Sequence, residues 1–116
     1  MILVTYDFVP PGYVATPTSG KVCIDVGNHF GPGVLDHHHG GTPEQCASEM
    51  VLTHPEWVLS QKVAQSQSNH SNMDDTLEIV THLYPDMDAI GGCWLATRLL
   101  GGETFGPAER LIASYI

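Results

Sequence analysis

The sequence predicts an α/β fold, a mainly parallel sheet flanked by helices. Short aliphatic runs that end in polar residues alternate with longer stretches of helical period, and Gly, Pro or Asp bounds each run. A chain of 116 residues with 42% hydrophobic content supports one domain, spanning residues 1–116, around one modest core.

Residues 2–6, 21–26 ("KVCIDV") and 76–81 ("TLEIVT") read as strands, and 34–35 as a very short fourth. Pro10-Pro11-Gly12 and residues 16–20 make the first connection a loop. In "TPEQCASEMVLTH", Thr42 is placed as a helix N-cap, Pro43 at the first helical position and Gln45 as the partner in a capping box. Pro55 ends or kinks that helix, and "EWVLSQKVAQ" forms a further helical segment. Residues 65–75, "QSQSNHSNMDD", read as an exposed loop. "DAIGGCWLATRLLGG" repeats apolar residues at Ile90, Trp94, Leu95 and Leu99. Its helix is expected to start at Asp88 or Ala89, with Asp88 as cap and Gly101 as stop. Pro107 opens a last helix, "AERLIASYI".

Charge narrows the function classes. Thirteen acidic residues stand against four basic ones, for a formal charge of −9. A nucleic-acid surface depends on clustered Lys and Arg, so no surface for long nucleic acid is evident. A phosphate-bearing substrate would need another source of positive charge, and bound metal supplies one. No stretch has the roughly 18–20 apolar residues of a membrane span. Residues 1–7 read as a strand rather than a signal peptide. Cys23, Cys46 and Cys93 form no CxxC pair, which argues against a disulfide framework or thiolate zinc site and suits a reducing, cytoplasmic setting.

The chemistry-bearing residues sit at expected strand ends, where open α/β sheets bind ligands. Asp25 ends or follows "KVCI", Asp36-His37-His38 follows "VL", and His82, Asp86 and Asp88 follow "EIVT". Imidazoles and carboxylates without thiolates suit Mn²⁺, Mg²⁺, Fe²⁺ or Zn²⁺. Two such ions about 3.5–4 Å apart would form a phosphoryl-transfer centre. Gly91 and Gly92 lower helix propensity by roughly 1 kcal/mol each relative to Ala, and are expected to let the helix approach the sheet or an anion closely.

"THLYPDMDAIGGCWLA" resembles motif I of the DHH phosphoesterase superfamily, approximately H-x-x-P-D-x-D-A-[IL]-G. "VLDHHHGG" resembles its name-giving D-H-H motif, and "IDVGN" its intervening aspartate motif. The resemblance covers residues 21–100 and implies a Rossmann-like catalytic domain that binds two Mn²⁺-like ions. It implies that Asp25 bridges the ions, that Asp88 and His37 bind one, and that His82 and Asp86 bind the other. Water between the ions would attack phosphorus in line. His38 would contact the phosphate or leaving group, and Asp36 would orient a histidine. The pattern needs only two histidines, leaving His39 structural or exposed.

Two features depart from the family. Motif I here follows D-H-H instead of preceding it, an order that circular permutation or a variant wiring of the sheet would reconcile. A further metal-binding aspartate and the C-terminal substrate domain lie beyond the matched residues, so the chain reads as part of a longer protein, weak or inactive by itself. The leading expectation is a metal-dependent phosphohydrolase, a phosphodiesterase or phosphoanhydride hydrolase. Its substrate would be small, such as a short oligonucleotide, cyclic dinucleotide or pyrophosphate, and a homodimer is compatible with it. The alternative is a non-catalytic, metal-stabilised binding or assembly module. A third reading, a nickel- or zinc-binding histidine protein, predicts metal binding without Asp86 or Asp88. Outside these motifs, His29, His54 and His70 are expected to cap, pack or face water. Trp57 and Trp94 are expected in the core or an interface, Arg98 in support of the fold, and Cys93 as a small buried residue.

Overall fold

The computed structural model describes residues 2–10, 12–15, 20–38, 46–68, 75–102 and 106–107. In chain order the elements are β1 (Ile2–Val9), β2 (Lys21–Ile24), β3 (Phe30–Gly31), β4 (Val34–Leu35), α1 (Ala47–Thr53), α2 (Pro55–Ser68), β5 (Asp75–His82) and α3 (Met87–Leu100). They form an α/β fold on a five-stranded sheet of order β1-β5-β2-β4-β3. All pairings are parallel except β3 with β4.

β1 and β5 pair in register from Ile2↔Asp75 to Val9↔His82, which carries β1 three residues past the expected end. On this edge strand the Asp7 carboxylate accepts the Phe8 N–H at 2.9 Å. β3 was not expected, because two residues show no periodicity. It turns into β4 through Pro32-Gly33, where Gly33 supplies φ +82°.

Side chains alternate across the pleat. Val22, Ile24, Leu35, Leu77 and Ile79 form one buried face with residues of all three described helices, including Met50, Val51, Val58, Leu95 and Ala96. Cys23 and Val80 form a smaller cluster on the other face with Val26, against Val9, Tyr13, Ala15 and Val34.

Helix boundaries depart from expectation. α1 begins after Cys46, whose backbone is extended (φ −154°, ψ 161°) and whose side chain caps nothing. The helix therefore starts four residues later than Pro43. A distant residue, Asp88, does the capping instead. Thr42, Pro43 and Gln45 lie outside the described residues. Pro55 takes the first position of α2. Residues 65–68 (Gln-Ser-Gln-Ser), expected in a loop, continue α2, since Gln is a good helix former and Ser a tolerable one whatever their polarity. Residues 69–74, including His70, and the segment after Pro107 lie outside the described residues.

α3 starts at Met87 with Asp86 as its N-cap, not Asp88. Asp86 is extended and its carboxylate accepts the Ala89 N–H at 2.9 Å. Gly92 has a packing reason. A Cβ there would meet Ile24 Cγ2 at 2.6 Å, so the glycine lets α3 lie close on β2. Gly101 ends the helix as expected, and Gly102 supplies the left-handed turn at φ +86°. Among the described residues no helix is long and apolar enough to cross a membrane.

Candidate metal centre

The three strands that carry the motifs are neighbours, in the order β5-β2-β4. Asp25, just past the central strand, is flanked by His82 from one side and by His37 and His38 from the other. The order of these segments along the chain does not decide their meeting. Spatial adjacency of strands decides it.

Asp25 is 2% exposed and has φ +62°, a left-handed backbone uncommon outside glycine. Gly27 (φ +120°) and Asn28 (φ +56°) complete the reversal that places the carboxylate over the strand ends. Its Oδ2 accepts a hydrogen bond from His82 Nε2 at 3.0 Å. Its Oδ1 lies 3.1 Å from His37 Nε2 and 3.5 Å from His38 Nε2. Neither ring aims an N–H at it in hydrogen-bonding geometry, so Oδ1 is buried without a donor. Burial raises the Asp25 pKa, and Asp88 and Asp86 push it further, against the opposing hydrogen bond from His82 and the charge of His38.

Asp36, also buried, holds the next group. Its Oδ2 accepts the Asn28 N–H at 2.8 Å, and its Oδ1 takes His38 Nδ1 at 2.7 Å and the His38 N–H at 3.2 Å. Burial would raise the Asp36 pKa, but these three bonds and the His38 charge outweigh it and lower the value. Burial pulls His38 down, while Asp25 and Asp36 raise it on balance. Asp36 thus orients a histidine, and that histidine is His38. The His38 ring lies 4.3 Å from that of His37, centroid to centroid.

Asp86 and Asp88 divide their work. One oxygen of Asp86 shares a cluster with Asp25 and His82 in which all donor atoms lie within 4.8 Å of one another. Asp25, His37 and His38 make a second such cluster. Asp88 accepts the Ala47 N–H on Oδ2 and the Ser48 N–H on Oδ1, both at 2.8 Å. Its Oδ2 also lies 3.5 Å from His37 Nε2. Asp88 is therefore a neighbour of His37, as expected, and at the same time the cap of α1.

Two groups of donors that share Asp25 could each hold a cation. Donors on an octahedron with bonds of about 2.1 Å stand about 3 Å apart along an edge, close to the 3.0 and 3.1 Å separations around Asp25. The cluster is acidic, and an oxygen without a donor stands at its centre. A cleft of about 580 Å³ opens beside it, lined by Gly12, Tyr13, Asn28, His38, Tyr84 and Asp86 among others, with no Lys or Arg among the described residues of its wall.

Sequence reading missed Asn28, Tyr13, Tyr84 and Ser48. The Gly27-Asn28 pair is a turn signal that points to the first. Ser48 carries no local signal. Outside the site, His29 stacks on Phe30, and His54 stacks on Trp57 at 3.9 Å. Arg98 lies over the Trp94 ring at 5.2 Å. Cys93 is half-buried, its thiol pushed up to about 12 chiefly by burial. His39 lies outside the described residues.

No protein-family model matches the chain, and no curated protein or solved structure is significantly similar to it.

Proposed function

We propose that this chain is a metal-dependent phosphohydrolase domain of the DHH phosphoesterase type, Rossmann-like in its sheet, acting on a phosphodiester or phosphoanhydride. The observation that carries the reading is Asp25, a buried carboxylate among three imidazoles whose Oδ1 no donor satisfies. Asp25, His37 and Asp88 would hold one Mn²⁺-like ion, and Asp25, His82 and Asp86 would hold another, Mg²⁺, Fe²⁺ and Zn²⁺ also suiting the donors. Such ions, when bound, acidify water and neutralise charge on phosphoryl oxygens.

The remaining work falls to the chain. Asp36 fixes the His38 ring through Nδ1, and the hydrogen bond and charge of Asp36 favour the His38 cation. His38, more than half exposed to solvent, then presents Nε2–H to a phosphate oxygen or leaving group. Asp86 caps α3 through one carboxylate oxygen, which fixes the side chain beside Asp25. The acidic balance of the chain, thirteen acidic residues against four basic ones, favours a substrate with few phosphates, such as a short oligonucleotide, cyclic dinucleotide or pyrophosphate. Three free cysteines suit a reducing, cytoplasmic site of action.

A second reading, a metal-stabilised binding or assembly module, is favoured by the engagement of Asp88 with α1. The test is a panel of phosphodiester, pyrophosphate and short RNA substrates after chelation and Mn²⁺ replacement. Mn²⁺-dependent turnover of any member supports the hydrolase. Mn²⁺ binding with no turnover supports the module.

A further inference from the structure

We infer that Ser48 is a positioning residue for the ion shared by His37 and Asp88, and that the start of α1 is built to aim the Asp88 carboxylate. This inference rests on the two-cation reading above. Ser48 is completely buried, and it is polar. Its Oγ–H donates to the Asp88 carbonyl at 3.0 Å, while its own N–H donates to Asp88 Oδ1 at 2.8 Å. One residue therefore grips Asp88 by both backbone and side chain. The Ala47 N–H adds a third bond, to Oδ2, the oxygen that lies 3.5 Å from His37 Nε2.

The packing makes this grip possible. Ser48 N would lie 3.7 Å from a Cβ placed on Gly92, and Ala47 C 3.8 Å, so the start of α1 rests on the glycine turn of α3. A carboxylate with two N–H donors on one side keeps lone pairs on the other, and those are the ones available to a cation next to His37. Groups that orient a ligand in this way typically change metal affinity by about 10–100-fold when removed. A serine that served only to satisfy α1 would leave metal affinity untouched.

The experiment is Mn²⁺ titration of the full 116-residue chain by calorimetry and by electron paramagnetic resonance. It compares wild type, Ser48→Ala, Ser48→Cys, Asp88→Asn and the Ser48→Ala/Asp88→Asn pair, with apo-protein melting recorded for each. Wild type is expected to bind two ions. Ser48→Ala should weaken one site about 10–100-fold and leave the other near wild type. Ser48→Cys, close in size with a weaker donor, should fall between, and it carries the test if Ser48→Ala fails to fold. In the Asp88→Asn background Ser48→Ala should have no further effect, since Ser48 acts through Asp88. Wild-type affinity at both sites in a folded Ser48→Ala or Ser48→Cys variant overturns the inference, as does full additivity in the double variant. A wild-type chain that binds no Mn²⁺ overturns the two-cation reading itself and this inference with it.

Discussion

Asp25 and His82, 57 positions apart in the chain, meet at 3.0 Å because β5 and β2 are parallel neighbours that both end at the same edge of the sheet. A buried carboxylate held in a left-handed backbone is an unfavourable element in the metal-free fold, and its raised pKa reports that. Asparagine has nearly the same shape, tolerates φ above zero, and carries no charge. Asp25→Asn should therefore melt a few degrees higher than wild type in chelator, yet lose the stabilisation that Mn²⁺ gives. Melting curves with and without Mn²⁺ check this. A variant less stable than wild type in chelator would show that the Asp25 charge supports the fold.

Gly92 offers a test of packing alone. Alanine there regains roughly 1 kcal/mol of helix propensity but sets a methyl 2.6 Å from Ile24 Cγ2. Overpacking of this kind costs about 1–3 kcal/mol. Chemical denaturation should find Gly92→Ala destabilised, whereas Gly101→Ala, whose Cβ would meet nothing closer than 3.5 Å, should be near neutral.

Much of the site could be read from strand ends. "KVCI", "VL" and "TLEIVT" announce strands, and the polar residues after each had to share one edge if the strands ran parallel. What could not be read was which aspartate caps which helix. Asp86 and Asp88 stand two apart in a turn, and either has cap chemistry. The choice was settled by α1, whose Ala47 and Ser48 N–H groups claim Asp88 from 41 and 40 positions away. No local pattern encodes that bond. The same physics hid the start of α1, since a capping box is a local pattern and this cap comes from α3. β3 escaped because two residues cannot display a period.

The thiols give a pH prediction. Burial pushes Cys23 to about 11 and Cys93 to about 12, against an ordinary value of 9.0. Above about pH 9 the unfolded chain loses these protons and the folded chain keeps them, so stability is full below that value and falls as pH rises toward about 11–12. Melting temperature against pH should drop across this window. A Cys23→Ala/Cys93→Ala variant should be less stable throughout but show a shallower drop. An unchanged slope would contradict the burial assigned to these thiols.

Asp36 should matter through His38. Asp36→Asn keeps the shape and weakens the hold on His38 Nδ1, so turnover should fall about 10–100-fold with Mn²⁺ affinity much less affected. His39→Ala should cost far less, since the motif uses only two histidines. Steady-state kinetics alongside Mn²⁺ titration separates these effects. Equal losses in both variants would remove His38 from its special role.

On the proposed reading, Asp25 is shared by two cations between the ends of β5 and β4. The most direct test is a crystal soaked in Mn²⁺, with data collected at the manganese absorption edge. Two anomalous peaks about 3.5–4 Å apart are expected. One should lie beside Asp25, His82 and Asp86, and the other beside Asp25, His37 and Asp88. A well-soaked crystal with no peak at Asp25, or with manganese only on surface histidines, would contradict it.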